Sequence, residues 1–180
     1  MSRPRPAKQV NLFMSLIGSD RETIGAVLLL LMERFGEADY IGPCREFSYT
    51  DYYEPEMGPG LRRRFVSFAK LVPPDALPEV KLWTNDLERR FSIGEARRIN
   101  IDPGYLSESH LVLATGKGFA HRPYLRDGIY ADLTLIYRDG SFRPLPWTYP
   151  DYAAPESAVL LHALRRKYLG QLQKLRKDAV

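Results

Sequence analysis

Apolar residues recur along the chain at two spacings, and these spacings predict strands alternating with helices. Residues 10–17 form a short, dense apolar run followed by Gly18, which is typical of a buried strand. Ser19 and Glu22 then have the spacing of a helix capping box. Apolar residues three or four apart follow as one stripe, at Ile24, Leu28, Leu31 and Phe35. The pattern predicts a strand and then a helix that ends near Gly36.

The same spacings predict two further strands, a helix and a fourth strand. Extended structure is expected over residues 39–53 and 61–71, separated by a turn-rich loop at 54–60. A second helix is expected over 73–91, with prolines in its first turn. Residues 97–102 alternate as a strand, and Pro103-Gly104 predicts its abrupt end. This β-α-β-β-α-β order is that of the ferredoxin-like split βαβ.

The remainder predicts an extension of that sheet and a last helix. Strands are expected at 111–115, 129–137 and 142–145, with Asp139-Gly140 as a hairpin turn. A leucine stripe after Pro155 predicts a C-terminal helix over about 155–177. We therefore predict an α+β fold, a ferredoxin-like antiparallel sheet extended by a C-terminal hairpin, with helices on one face. Residues 1–8 are expected to be a flexible tail and 9–180 a single domain.

Composition narrows the class of protein only slightly. The net charge of +4 permits anionic partners but does not require nucleic acid. Cys44 is the single cysteine, so an intrachain disulfide is impossible. The basic start lacks the apolar run of a signal peptide, and the longest apolar run, 26–32, is too short to cross a bilayer. We expect a cytoplasmic protein without a transmembrane segment.

The most informative stretch is the predicted strand that ends at Asp102. Asn100 and Asp102 form its polar face, between Ile99 and Ile101. An Asp before Pro-Gly commonly caps a turn, and that is one interpretation. A carboxylate held at the end of a buried strand also suits a functional site. The sequence leaves both interpretations open.

Several motifs together resemble one prokaryotic family, catalogued as domain of unknown function 4416, over nearly the whole chain. They are Thr50-Asp51-Tyr52-Tyr53, Met57-Gly58-Pro59-Gly60-Leu61 with its arginines, Asn100 to Tyr105, His121-Arg122 and residues 144–152. The resemblance implies almost nothing about activity. Members often carry an automatic label of GTP-binding protein, but Gly116-Lys117-Gly118 lacks the Ser/Thr and the upstream Gly of a P-loop.

His121, Arg122 and Asp132 are candidates for chemistry. His121 follows a glycine-rich turn and suits acid–base work, while Arg122 suits a bidentate grip on a carboxylate or phosphate. The alternative is structural: His121 caps a loop and Arg122 pairs with Asp127 or Asp132. Asp132 lies in the middle of a strand, so it is either solvated or paired with Arg98 or Arg122.

Arg62, Arg63 and Arg64 follow a glycine-rich turn, which is typical of an anion clamp or of a charged edge strand. On a strand Arg62 and Arg64 share one face and Arg63 lies on the other. The three histidines have no metal-ligand spacing, so no metal site is predicted, although His110 and His121 with an aspartate form a weak candidate. The sequence does not identify a cofactor.

Two hypotheses follow from these candidates. In the first, the protein is a small-molecule enzyme acting by acid–base chemistry on an anionic, phosphate- or carboxylate-bearing substrate. In the second, it is a nucleotide- or RNA-binding or protein-interaction module without catalysis, in which Tyr52, Tyr105, Tyr130 and Trp147 stack on the ligand. The predicted catalytic residues are Asp102, His121 and Asp132. The predicted substrate-binding residues are Arg62, Arg64, Asn100, Tyr105, Arg122, Tyr130 and Trp147.

Overall fold

The computed structural model describes residues 3–178, which form one antiparallel sheet with helices on both faces. Its strands are β1 (Val10–Gly18), β2 (Ala38–Ile41), β3 (Arg45–Glu46), β4 (Arg62–Val72), β5 (Ile99–Leu106), β6 (His110–Thr115), β7 (Tyr124–Arg126), β8 (Ile129–Arg138) and β9 (Ser141–Pro144). Its helices are α1 (Arg21–Phe35), α2 (Glu54–Met57), α3 (Leu77–Arg90), α4 (Pro150–Ala153) and α5 (Pro155–Asp178).

The sheet confirms the predicted α+β class but not the predicted topology. Its strand order is β2-β4-β1-β5-β6-β8-β7, with β3 paired to β4 and β9 paired to β8. A ferredoxin-like sheet is not confirmed, because the nine strands found in residues 3–178 have a different order. β8 and β9 form the predicted hairpin, and Asp139 and Gly140 take the positive φ values of 52° and 78° that a tight turn needs.

Alternation along β1 divides the core between the two faces of the sheet. Leu12, Met14 and Leu16 pack against α1 and α3. Phe13 points to the other face and packs with residues of α5, including Leu161. The prediction of helices on one face therefore holds for α1 and α3 but is wrong for α5, which covers the opposite face.

β5 continues through Pro103 and Gly104 to Leu106, so the predicted end of this strand at Asp102 is wrong. The N–H and C=O groups of Ile101 bond to side chains of α3, on the side of β5 that faces away from β1. Pro103 lies two residues further and faces the same way, before pairing with β6 begins at Gly104. Its missing N–H breaks no bond of the sheet, so the strand tolerates it.

The ends of some elements also differ from the sequence prediction. Asp20, rather than Ser19, caps α1 and accepts a hydrogen bond from the Thr23 N–H at 2.6 Å. The expected loop at 54–60 contains the short helix α2. Residues 3–9 form neither helix nor strand, whereas Met1 and Ser2 of the predicted tail lie outside the described residues. Among residues 3–178, every helix is too short or too polar to cross a membrane.

Candidate functional site

A cleft of ≈ 460 Å³ lies on the sheet face that α5 covers only in part. Its floor is the sheet, and its walls are two aromatic segments, residues 47–53 and 149–152. The lining residues are Ser15, Ile17, Phe47, Tyr49, Thr50, Tyr52, Tyr53, Asp102, Leu113, Ala114, Thr115, Lys117, Asp132, Tyr149, Pro150, Asp151 and Tyr152. Cavities of this size bind small organic molecules.

Strand register brings two aspartates to the floor of this cleft. Ser15 of β1 lies opposite Asp102 of β5. Leu113 of β6 lies opposite Gly104 on one side and Asp132 of β8 on the other. Residues opposite each other in a sheet share a face, and so do residues two apart on one strand. Asp102 and Asp132 therefore point to the same side of the sheet although 30 residues separate them in the chain.

Asp102 is the carboxylate of the floor that solvent reaches. Its side chain is 31% exposed, against 3% for Asp132 and 9% for Asp151. The Asn100 amide donates to it at 2.7 Å, and the Lys81 ammonium lies 3.8 Å from its other oxygen. Asp102 lies within β5 rather than at a turn, so the turn-cap interpretation is wrong.

Buried charges of α3 fill a gap between β5 and β6 behind Asp102. Lys81 donates to the Ile101 carbonyl at 2.8 Å, and the Ile101 N–H donates to Glu88 at 2.6 Å. These side chains replace the backbone partners that β6 does not supply here. Burial raises the pKa of Glu88, against the nearby positive charge of Lys81. The strand that carries Asp102 is thus stabilised by hydrogen bonds to polar side chains of α3.

Gly104 is the residue of β5 at which pairing with β6 begins. A Cβ at this position would lie 2.3 Å from the Val112 carbonyl oxygen, a distance that requires the backbone to move. Glycine therefore allows the close approach of the two strands immediately after Asp102.

Asp132 is held by Arg122 at the far side of the floor. The Arg122 guanidinium donates to Asp132 at 2.8 Å and to the Tyr149 hydroxyl at 2.9 Å. The His121 Nε2 atom lies 3.7 Å from the same carboxylate oxygen, and its ring stacks on Trp147 with 4.7 Å between centroids. Of the predicted cations, Arg122 and not Arg98 pairs with Asp132, since Arg98 bonds to Asp20.

Asp151 forms a buried ion pair with Arg63 in the aromatic wall. The Arg63 guanidinium also lies over aromatic rings, 4.2 Å from the Phe65 centroid and 5.3 Å from that of Phe47. Burial raises the pKa of the Asp151 carboxyl, and the charge of Arg63 opposes that rise. Asp151 lines the cleft together with Tyr152, whereas Arg63 is not among the lining residues.

Three tyrosines of the wall experience the charge of Asp102. Burial raises the pKa of the hydroxyls of Tyr53, Tyr149 and Tyr152, and the negative charge of Asp102 acts in the same direction on each. These hydroxyls stay protonated and can donate a hydrogen bond to a bound molecule.

Comparison with known proteins gives a family and no activity. The sequence model of a family described as Domain of unknown function (DUF4416) matches residues 8–168. The chain belongs to this family. Among curated proteins and among solved structures, no match to the chain was found. The resemblance noted from the motifs is therefore confirmed.

The structure brings together some of the predicted site residues. Asp102 and Asp132 line the cleft. Arg122 donates to Asp132, His121 lies 3.7 Å from the same carboxylate, and Trp147 stacks on His121. Asn100 does not line the cleft; it donates to Asp102 at 2.7 Å and accepts a hydrogen bond from Arg97 at 3.0 Å. The strand of Asp102, the loop of His121 and the coil of Trp147 therefore meet around one cavity.

Other predicted residues lie elsewhere. Arg62 and Arg64 alternate with Arg63 and point away from the cleft, and neither lines it. Tyr105 packs beside Leu77 on the face that α3 covers. Tyr130 lies under the loop at Gly118, outside the lining. In residues 3–178 no three His, Cys, Asp or Glu side chains are placed to hold a metal ion, so His110 and His121 do not form one site.

Several residues of the site had little signal in the sequence. Lys81 and Glu88 are charged, yet they lie seven residues apart beside the buried stripe of α3, a spacing that puts them on one helix face. Charged residues at such positions are a usable sign of a buried polar network. Alternation along the strand placed Arg63 on the opposite face from Arg62 and Arg64, but it did not show which face forms the cleft. Lys117 and Asp151 had no local signal that assigned them to a site.

Proposed function

We propose that the protein is a small-molecule enzyme whose substrate binds in the cleft and exchanges a proton with Asp102. The observation that carries this proposal is the contrast among the three carboxylates of the cleft. Asp132 and Asp151 are each buried against an arginine, whereas Asp102 is 31% exposed and held in place by Asn100 and Lys81. A fixed carboxylate that a ligand can reach suits a general acid or base.

The other charged residues position this group or complete the cavity. Arg122 holds Asp132 on the floor of the cleft, and His121 lies 3.7 Å from the same carboxylate. Because Arg122 uses its N–H groups on Asp132, Tyr149 and the Lys117 carbonyl, it has little left for a ligand. His121 does not line the cleft, so in this proposal it acts through Asp132 rather than on the substrate.

The proposed substrate is not the anion that was expected from the sequence. Arg62 and Arg64 lie outside the cleft, and Arg63 and Arg122 are paired with aspartates. A phosphate or carboxylate would meet Asp102, whose nearby Lys81 already donates to the Ile101 carbonyl. Among the lining residues that the structure describes, Lys117 is the one cation. The negative charges of such a ligand and of Asp102 repel each other, so an anion gains little binding free energy from this cavity.

Binding without catalysis is the second candidate. The rings of Tyr52 and Tyr149 are 59% and 47% exposed at the mouth of the cleft, where they offer faces on which a flat ligand can stack. In this alternative Asp102 contributes hydrogen bonds only. A nucleotide or an RNA base is one ligand that stacking would suit.

Two finer expectations belong with this proposal. We propose that β1, α1, β2, β4, α3 and β5 form a ferredoxin-like unit to which β6–β9 were added. The neighbouring order β2-β4-β1-β5, with antiparallel pairs throughout, supports it. A cytoplasmic location is still a prediction from the sequence.

The test is a search for ligands whose binding or conversion depends on Asp102. Purified protein is screened by saturation-transfer NMR against a library of charged, neutral and zwitterionic small molecules, and hits are followed over hours for chemical change. Asp102→Asn keeps the shape and removes the proton acceptor, and it should lower turnover by about 10²–10⁴-fold. Asp139→Asn, on the exposed hairpin turn, is the matched control.

The outcomes separate the two candidates. A loss of conversion in Asp102→Asn that persists at ligand concentrations that saturate the variant supports the enzyme. Ligands that are not converted, and whose binding depends on Tyr52, support the binding module. A screen in which no ligand responds more strongly to Asp102→Asn or to Tyr52→Ala than to Asp139→Asn overturns both.

A further inference from the structure

We propose that the cleft recognises a small organic cation, a molecule that carries an ammonium or guanidinium group. This inference rests on the proposed function, since it names the substrate class of the same cavity. It is carried by the charge of the lining, by the aromatic walls, by one buried hydroxyl without a partner, and by a lysine of the chain that already occupies the rim.

The charge of the lining favours a cation. Asp102, Asp132 and Asp151 line the cleft, and Lys117 is the one cationic residue among the described residues of the lining. Asp132 and Asp151 have arginine partners outside the cavity, but the nearest ammonium to Asp102, that of Lys81, stands 3.8 Å away and donates to the Ile101 carbonyl. Asp102 therefore presents a carboxylate oxygen to which a ligand N–H can donate.

The walls have the composition of an aromatic cage. Six of the lining residues are aromatic: Phe47, Tyr49, Tyr52, Tyr53, Tyr149 and Tyr152. The negative face of an aromatic ring attracts a cation within about 6 Å of its centroid. Aromatic walls with carboxylates on the floor are the arrangement that binds ammonium groups, because the rings lower the cost of removing them from water.

The chain itself shows that these rings hold cations. The Arg63 guanidinium lies 5.3 Å from the ring of Phe47 and 5.6 Å from that of Tyr49. The Lys117 ammonium lies 4.7 Å from the centroid of Tyr52 and donates to its hydroxyl at 2.7 Å. A ligand cation would find the same kind of surface at the open rings of the wall.

A buried hydroxyl adds a second, independent sign of a ligand. Tyr152 lines the cleft and is 5% exposed. Its hydroxyl lies beside the Ser15 side chain, yet it has no partner at hydrogen-bond geometry in the part of the chain that the structure describes. An unpaired polar group in such a place is costly, and a ligand N–H would satisfy its oxygen.

Lys117 allows a specific test of the inference, because its ammonium occupies a place at the rim where a ligand cation would bind. The residue is exposed, lies between Gly116 and Gly118, and reaches over the rim of the cleft to Tyr52. Removing its ammonium lowers the positive charge at the rim. A cationic ligand should then bind more tightly, whereas an anionic ligand should bind more weakly.

The experiment is a titration of the full chain with three probes of similar size and different charge. They are 2-phenylethylamine, 2-phenylethanol and 3-phenylpropionate, with agmatine as a second cation, and binding is followed by ligand-observed NMR and calorimetry. We expect the two cations to bind and the other probes to bind at least tenfold more weakly. Lys117→Ala should tighten cation binding about two- to fivefold, which corresponds to a surface charge interaction.

Two further variants complete the design. Asp102→Asn should weaken cation binding about 10- to 100-fold, the change expected for loss of a charged hydrogen bond. Lys174→Ala removes an exposed lysine of α5 and should leave every dissociation constant unchanged, which controls for net charge. Lys117→Ala alters an exposed side chain, so it remains informative if Asp102→Asn unfolds.

The outcomes distinguish this inference from the proposed function. If 3-phenylpropionate binds best and Lys117→Ala weakens it, the cation inference is overturned while a small-molecule cleft stands. If the uncharged probe binds as well as the amine in both proteins, the inference is likewise overturned. If no probe binds and the library screen finds no ligand that depends on Asp102, the inference and the proposed function fall together.

Discussion

The two ends of one sheet face differ sharply in this protein. At one end α5 covers Phe13, Leu111 and Leu135 with leucines and Tyr168, which makes an apolar core. At the other end the same strands carry Asp102 and Asp132 beneath two aromatic segments. The strands and their pleat are common to both ends, so the difference comes from what covers them. At the apolar end of the sheet face α5 excludes water, whereas at the other end the two aromatic segments leave a cavity.

The comparison also shows two ways in which a sheet face is stabilised. The apolar end depends on burial of nonpolar area, which is non-directional and tolerates small shifts. The polar end depends on pairs with defined geometry, in which every buried charge needs its partner. Substitutions at the two ends should therefore differ in their dependence on pH.

The largest expected effect is at the apolar end. Phe13→Ala removes a fully buried ring that lies 5.1 Å from the Phe65 ring, and it should lower the free energy of unfolding by about 3–5 kcal/mol. Urea unfolding followed by circular dichroism measures the change at pH 5 and pH 8. We expect the same loss at both pH values, because no charge is involved. Leu29→Ala, on an exposed face of α1, should change stability by less than about 0.5 kcal/mol.

A somewhat smaller effect is expected from the ion pair in the aromatic wall. Arg63→Met leaves Asp151 buried without its cation and should cost about 3 kcal/mol at pH 8. The loss should be smaller at pH 5, because the pKa of the unpaired carboxyl rises and protonation then stabilises the folded state. A loss that is equal at both pH values would show that this end behaves like the apolar one.

A double substitution tests whether the pair itself is responsible. Asp151→Asn removes the charge that Arg63→Met would leave unpaired, so the double variant should be more stable than the sum of the single losses predicts. We expect a coupling of about 0.5–3 kcal/mol. Additive losses would place the cost in the packing of the Arg63 side chain against Phe47 and Phe65 instead.

The sequence predicted the apolar end far better than the polar one. The dense run of β1, the leucine stripe of α5 and the Asp139-Gly140 turn are local signals, because a period or a dipeptide decides the structure. The structure has these elements within one or two residues of their predicted bounds. The family resemblance was confirmed because it rested on several separate motifs rather than on one.

The polar end depends on contacts between distant segments, which local patterns do not encode. Pro103 was expected to end β5, but its effect depends on whether a neighbouring strand needs its N–H, and here pairing with β6 begins only at Gly104. Alternation separated Arg63 from Arg62 and Arg64 but did not show which face forms the cleft. The meeting of Asp102 with Asp132 requires the order β5-β6-β8, which no local signal contains.

The smallest expected effect tests whether the buried charges behind Asp102 make this end sensitive to pH. Burial raises the pKa of Glu88 above its ordinary value of 4.5, so the folded state holds this proton more tightly than the unfolded chain does. The stabilisation from protonated Glu88 is complete below about pH 4.5 and is lost as pH rises through the raised pKa.

Glu88→Gln should remove that dependence. Below about pH 4.5 the variant should differ from the wild type by less than about 1 kcal/mol, because an amide oxygen still accepts the Ile101 N–H bond. As pH rises towards 8 the wild type should lose stability relative to the variant. Glu79→Gln, whose side chain is 66% exposed, is the control and should follow the wild type throughout. If the wild type instead gains stability relative to Glu88→Gln as pH rises, the positive charges of Lys81 and Arg97 more than compensate for the burial of Glu88. The strand β5 would then be stabilised by attraction between charges.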